Sequence, residues 1–478
     1  WCRLNTSIVF GGAAMKSFHR EVYFVLTLCV IGLITPHAWS APPLEIGAAS
    51  QIINPKVGDW VQGAGVPKRA TKIRDNLEAN ALYLSNGTTQ VILVSCDLGG
   101  TPPDWTKRAR EAMGEATGVP DRNIIIIATH THGGPSVIRS NYLMPIDTDY
   151  LDKLEVWMVD VAKRAVDSAQ PGKLAWGKGE ALIGYNRRVC WADRTHSMYG
   201  DITRADFVGF EGPDNPQHLA LFAQDLQGEL ISILHHNTSH PATMYAAGVF
   251  SAEYPGVART HLRNELGEIP VLFLNGALGD IAIPNLKDRI KESKDEQVER
   301  IARIVADETL RLYKQVKYED SMILKHSFED LKVNIRLAKP ERVKKSRETL
   351  SKIDAGENIR GMDMIMAFGA VELQDTFGDQ PTDILPIHAL RIGDVGLITQ
   401  PCELYQQFAQ DIEARSPAPT TAVVGIADGY CGYCPTAYGV LGGGYSATPL
   451  SWTRLETLAG YKLVESANMQ LHAIWNKK

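Results

Sequence analysis

Four consecutive isoleucines, Ile124 to Ile127, run into Ala128-Thr129-His130-Thr131-His132-Gly133-Gly134-Pro135, and no other stretch constrains the fold as tightly. An unbroken β-branched run suits a strand covered on both faces. Gly-Gly-Pro cannot continue it, so both histidines fall where strand gives way to loop. At spacing i, i+2 on an extended backbone their side chains leave the same face. Such a pair can put one imidazole on a metal and the other on a substrate, as hydrolytic zinc sites do; two polar residues capping a loop is the plainer alternative.

Other strands are expected to stop in the same way. Leu77 to Leu84 and Thr89 to Cys96 read as a hairpin around Ser85-Asn86-Gly87, ending at Asp97, which is expected to face the same cavity as His130. A helix from Trp105 to Ala116, stopped by Gly118 and Pro120, leads into the isoleucine strand, giving β-α-β order. Apolar residues three to four apart predict a helix over Asp149–Ser168. Lys173 to Ile183 reads as a strand that ends at Gly184-Tyr185-Asn186-Arg187-Arg188, where an arginine can hold a carboxylate or carbonyl oxygen or face solvent. His218 to Gln224 and Glu229 to His236 pair across Asp225-Leu226-Gln227-Gly228, and the second strand runs on to His240-Pro241.

A helix from Ser251 to Leu266 carries Glu253 in its first turn, and a strand Val271–Leu274 opens the loop Asn275 to Asn285. Arg289–Tyr313 and Pro340–Ala355 mix charge signs and read as covering helices. His388 to Ile398 reads as one strand delivering Gln400 to Tyr405 at the start of a helix, so Glu403 is expected in a first turn, where the helix dipole favours a carboxylate. Thr420 to Ile426 releases Asp428-Gly429-Tyr430-Cys431-Gly432-Tyr433 and the glycine-rich Gly439 to Tyr445, and a helix from Trp452 to Trp475 closes the chain. The fold class expected is α/β: a mixed β-sheet core with covering helices in one large catalytic domain. Polar residues collect where strands stop, the usual place of an active site in such a sheet.

A net charge of -6 over 478 residues leaves no basic footprint for nucleic acid, so the expected partner is a small molecule or a lipid. Residues 1–14 look like translated upstream sequence. Met15, followed by Lys16, His19 and Arg20, then the apolar Val22 to Ile34 and Ala38-Trp39-Ser40, reads as a signal peptide over 15–40 cleaved before Ala41, which predicts a secreted or periplasmic protein. The sparse cysteines Cys96, Cys190, Cys402, Cys431 and Cys434 are no disulfide scaffold; Cys431-Gly-Tyr-Cys434 reads as a local disulfide or two packed thiols, and one such pair cannot complete a four-thiolate zinc site.

Taken together these pieces resemble the neutral/alkaline non-lysosomal ceramidases, zinc amidases that release a fatty acid from N-acylsphingosine. The resemblance spans nearly all of 41–478. The family's THTHSGPGG motif is similar to Thr129-His130-Thr131-His132-Gly133-Gly134-Pro135, its NRSP motif to Asn186-Arg187-Arg188, and its HPTSM motif to His240-Pro241-Ala242-Thr243-Met244. Its PGEF glutamate resembles Glu403 in Pro401-Cys402-Glu403-Leu404, and its YxxY motif with a later tyrosine resembles Tyr430-Cys431-Gly432-Tyr433 and Tyr445.

The resemblance implies Zn²⁺ held by His130, His240, Glu403 and Tyr433, a ligand set that leaves room for water and a carbonyl. It implies His132 as proton shuttle, with Arg187 and Tyr445 holding the oxyanion and the product carboxylate. Two departures stand out. The family's GDVSPN segment, which supplies a serine, becomes Gly279-Asp280-Ile281-Ala282-Ile283-Pro284-Asn285, with alanine in that place and one residue inserted. No immunoglobulin-like C-terminal domain is expected after the last helix. The expected activity is hydrolysis of the amide of ceramide or a related N-acyl lipid. A different amide or ester, or a binding homologue without turnover, are the alternatives. Peripheral membrane contact would suit a lipid substrate, but Trp60, Trp105, Trp191 and Trp452 lie on no long amphipathic face and read as packing residues.

Overall fold

The computed structural model describes residues 44–62 and 67–476. The expected upstream segment 1–14 and the expected signal peptide 15–40 lie outside them. Among the described residues an eight-stranded sheet runs, in spatial order, Val271–Asn275, Leu230–Asn237, Gln217–Asp225, Gln170–Glu180, Glu45–Ile52, Glu78–Ser85, Gln90–Cys96, Ile124–Ala128. Its two outermost pairs are parallel and the rest antiparallel. The sheet coils until its ends meet: Ser95 Oγ donates to Phe273 O (2.7 Å) and Asn275 Nδ2 to Thr129 O (3.1 Å).

The isoleucine strand shows why no alternation was needed. Ile124 and Ile126 pack with Ala79, Ala81 and Val94 beneath the helices Pro103–Thr117 and Thr148–Asp167, while Ile125 and Ile127 point the other way, onto Leu390, Leu397, Ala422 and Val424. All four are fully buried. At roughly 1.5–3 kcal/mol for each buried branched side chain, this short strand is a main source of cohesion between the layers. The second layer is a four-stranded sheet in the order Leu324–Asn334, Thr382–Ile392, Val395–Thr399, Thr420–Val424. The chain leaving it closes the free edge of the isoleucine strand, through Asp428 N to Ile126 O (2.8 Å) and Ala128 N to Ile426 O (3.0 Å).

The expected mixed α/β domain is therefore observed, with corrections of detail. Glu45–Ile52 is a strand that was not anticipated. His388–Ile398 is not one strand: it turns at Gly393-Asp394 into a hairpin. The last helix begins at Ala459, and the strand Leu324–Asn334 and the helix Gly361–Phe377 were not anticipated. Trp105 and Trp191 are buried, as packing residues should be. No helix among the described residues is long and apolar enough to cross a membrane.

Candidate metal centre

Strand ends from both sheets converge at Thr129, Asn275 and Gly425, where Gly425 N donates to Asn275 O (2.9 Å). Here the backbone is unusually contorted. His130, Tyr199, Glu253, Ile426 and Asp428 all have φ between 54° and 66°, a region costly for residues with a Cβ and tolerated where function or surrounding contacts fix it. His130 and His132 are thus not successive residues of an extended strand: the strand stops at Ala128, and a left-handed His130 swings the two rings into an edge-to-face pair 5.2 Å apart.

Each imidazole is held by a backbone group or a neighbour. His130 Nδ1 donates to Gly99 O at 2.5 Å; a carbonyl only accepts, so Nε2 keeps its lone pair and points inward. His240 turns Nδ1 to Leu278 O (3.3 Å) and Nε2 to His132 Nε2 (3.0 Å). His132 N donates to Glu253 Oε1 (3.1 Å), and Thr243 N to Glu253 Oε2 (2.7 Å), so one buried carboxylate ties the two histidine loops together. Burial raises Glu253 to about 7 in spite of those hydrogen bonds. One nitrogen from each of His130, His132 and His240 lies within 4.8 Å of the other two.

Glu403 completes the group. It does not open a helix: it is the middle of the three-residue strand Cys402–Leu404, paired with Gly432–Cys434 so that Glu403 stands opposite Tyr433, and the helix starts at Gln406. Tyr430 donates to Glu403 Oε1 at 2.6 Å. Glu403 Oε2 has no hydrogen-bond partner, and lies 3.9 Å from His130 Nε2 and 4.0 Å from His240 Nδ1. A buried carboxylate oxygen that faces two imidazoles and accepts no hydrogen bond fits the donor set a cation would take. The donor set, nitrogens with one carboxylate, suits zinc. Burial lowers His130 to about 4 and holds His240 well below the ordinary histidine value, with Arg187 adding to both, so the rings are neutral ligands at physiological pH.

Arg187 and the tyrosines close the other side. Arg187 Nη2 lies 2.8 Å from Gly279 O, 3.0 Å from His240 Nδ1 and 3.5 Å from Tyr433 Oη, and Nη1 donates to Tyr199 Oη at 3.0 Å. Burial works against the guanidinium but is outweighed by the surrounding hydroxyls and Glu403, which hold it well above its ordinary value. Tyr433 Oη and Tyr445 Oη are 3.2 Å apart, and burial raises both phenols, so each stays a proton donor. Tyr445 arrives on the glycine-rich segment, clamped by fully buried Arg188 through Gly439 O (3.1 Å), Gly443 O (2.9 Å) and Ser446 Oγ (3.1 Å).

All seven residues singled out in the sequence are thereby brought together: His130, His132, Arg187, His240, Glu403, Tyr433 and Tyr445. His132 sits among the candidate ligand atoms instead of behind them. Asp97 does not face this cavity; it accepts from Arg259 (2.7 Å) and Glu78 N (2.9 Å) and belongs to a buried ion pair. Ala282 is buried in a two-residue strand against Tyr185 and brings no hydroxyl. The five described cysteines are free thiols. Cys431 Sγ packs 2.8 Å from Cys402 Sγ instead of pairing locally with Cys434. Tyr199 and Glu253 were not read as site residues. Tyr199 has no motif signal, whereas Tyr430 stood in the YxxY pattern and could have been weighed.

No protein-family model matches the chain. Among curated proteins it is similar to the neutral ceramidase of Pseudomonas aeruginosa, 27% identical over 152 residues, which is 30% of this chain and 22% of that protein. The aligned segment thus spans about a fifth of the relative's length. Among solved structures, the crystal structure of the Pseudomonas aeruginosa neutral ceramidase superposes with a TM-score of 0.69 at 17% identity, covering 91% of this chain and 75% of that one. A ceramidase complexed with C2 gives 0.70 at 18% identity, covering 90% and 75%. The resemblance read from the motifs is borne out, and the fold is that of the neutral ceramidases.

Proposed function

We propose that this chain is an exported, zinc-dependent amidohydrolase that cleaves the amide of ceramide or a related N-acyl lipid. The observation that carries the reading is the unpartnered Glu403 Oε2 facing His130 and His240 in a pocket that also holds a permanently charged arginine and two protonated phenols. His130, His240 and Glu403 would hold the metal, with Tyr433 completing the set. Bound there, zinc supplies Lewis acidity and a water acidified towards a pKa of about 7.

The remaining work falls to the chain itself. His132, anchored through its backbone to Glu253 and beside His240, is placed to take a proton at its imidazole and return it to the leaving nitrogen. Arg187 and the Tyr445 hydroxyl are fixed donors for the oxygen on which charge develops, and being already oriented they need little reorganisation as the reaction proceeds. After cleavage the guanidinium suits the carboxylate product. Ala282 rules out a serine nucleophile at that position, so bond cleavage rests on activated water.

A second reading has its own support. Ala282 and the glycine-rich approach to Tyr445 both depart from the ceramidase motifs, which favours the same centre acting on another amide or ester. A panel of N-acylsphingosine, N-acyl amino acids and fatty-acyl esters, assayed with the zinc-loaded protein and with His132→Asn, separates the two. Turnover of N-acylsphingosine well above the rest, lost in the variant, supports the first; turnover confined to the others supports the second; none at all would sink the catalytic reading. Export is tested by sequencing the mature N-terminus, expected at Ala41.

A further inference from the structure

A second group of metal-type donors lies on the hairpin that follows Arg187. The strands His196–Met198, Arg188–Trp191 and Phe207–Phe210 form a small antiparallel sheet. Its register sets Cys190 directly opposite His196 on one side and Gly209 on the other, so thiol and imidazole share a face. Glu211, one residue past the third strand, is held beside Arg188 by its backbone (Glu211 N to Arg188 O, 2.9 Å). One ligand atom from each of Cys190, His196 and Glu211 lies within 4.8 Å of the other two. Cys190 and His196 are buried, and the Glu211 side chain is 2% exposed.

The carboxylate is only half used. Glu211 Oε2 accepts from Arg188 Nε (2.8 Å) and Nη2 (2.7 Å) and lies 2.7 Å from His196 Nδ1, but Oε1 is buried with no partner. An anionic oxygen sealed from water without a donor is expensive. The cover is the short helix Ala437–Gly442, which comes so close that a Cβ on Gly439 would stand 2.5 Å from Glu211 Oε1 and one on Gly442 2.1 Å from the His196 ring. The Tyr438 ring packs edge-on to His196, 4.5 Å between centroids. Glycine at both positions is what lets the helix backbone approach the cluster this closely.

We propose that Cys190, His196 and Glu211 bind a second zinc ion. A thiol, an imidazole and a carboxylate are the donors zinc prefers in combination. Loading releases the Cys190 proton to solvent, so the thiolate and Glu211 Oε1 face the cation while Arg188 keeps Oε2. All three donors come from the small sheet, so with a helix over it the ion is structural, tying together the strands that follow Arg187. The site needs no particular activity and stands apart from the reading of the first centre.

The test is metal stoichiometry and cobalt spectroscopy on the metal-depleted full chain reloaded with Zn²⁺ or Co²⁺. Two zinc ions per wild-type chain are expected, one in Cys190→Ala and one in His240→Ala. Because the first centre has no thiolate ligand, the near-ultraviolet thiolate-to-cobalt band should appear in wild type and in His240→Ala, whose hairpin is untouched, and vanish in Cys190→Ala and His196→Gln. If the band survives Cys190→Ala, or His240→Ala binds no metal and shows no band, the proposal is overturned and the cluster is an arginine-carboxylate-histidine network alone. A wild type with one zinc and a band that disappears in Cys190→Ala but not in His240→Ala would instead support this site and remove the first.

Discussion

Two sets of buried histidines have very different company. His235 and His236 lie inside Leu230–Asn237, with His218 on the neighbouring strand; His240 lies four residues beyond His236, where the strand has ended. Burial is the leading cause in both sets and leaves all of them neutral: about 3 for His235, about 4 for His218, His236 and His130, and His240 well below the usual value. Depressed basicity therefore does not identify the site. His218 rests on Thr309 Oγ1 (2.9 Å) and His236 on Val423 O (3.2 Å), neutral core partners that each take one nitrogen of the ring. His130 and His240 face an anionic oxygen with no donor and an arginine that cannot lose its charge. What separates a functional imidazole from a packed one here is a strand end and the charge placed opposite it.

The contrast can be broken by removing each partner in turn. His240→Ala or Glu403→Gln should release the metal at the first centre and cost several kcal/mol of transition-state stabilisation, roughly 10³-fold or more in kcat/KM, with the fold intact by circular dichroism. Arg187→Ala should keep the metal but lower kcat by about 10²–10³-fold, the loss typical of a preorganised oxyanion donor, with a smaller change in KM. Equal metal loss in that variant would show that the guanidinium supports the ligands instead. Tyr430→Phe removes the hydroxyl that orients Glu403 and should weaken metal binding by about 10–100-fold, measured by chelator competition.

His235→Leu is the control from the other set and should leave activity in place. Its effect is on acid stability. A histidine at about 3 when folded and 6.5 when free binds its proton only in the unfolded chain between those values, so its neutral form contributes stability that is full above pH 6.5 and drains away as pH falls. Removing it should make the denaturation midpoint less steep with pH in that window, by up to about 1.4 kcal/mol per pH unit. A variant as acid-sensitive as the wild type would mean that His235 does not titrate on unfolding.

Much of this was legible in the residues. The isoleucine run announced a doubly covered strand, and Ser85-Asn86-Gly87 and Asp225-Leu226-Gln227-Gly228 marked hairpins that the sheet contains. What failed did so for physical reasons. Glu403 stands on a three-residue strand whose partner is some thirty residues away, too short for any period to show, and the nearby helix signal won. His130 and His132 were paired correctly but by the wrong geometry, because a left-handed histidine cannot be read from sequence. Tyr199 joins Arg187 only through the fold, and the Cys402–Cys431 contact joins residues that no local spacing connects.

The most direct measurement combines zinc content at the first centre with hydrolysis of a fluorogenic N-acylsphingosine, for the wild type and His240→Ala. The account predicts one zinc ion lost and turnover abolished together in the variant. Zinc content that does not fall in His240→Ala, or hydrolysis that persists without that zinc, would contradict it.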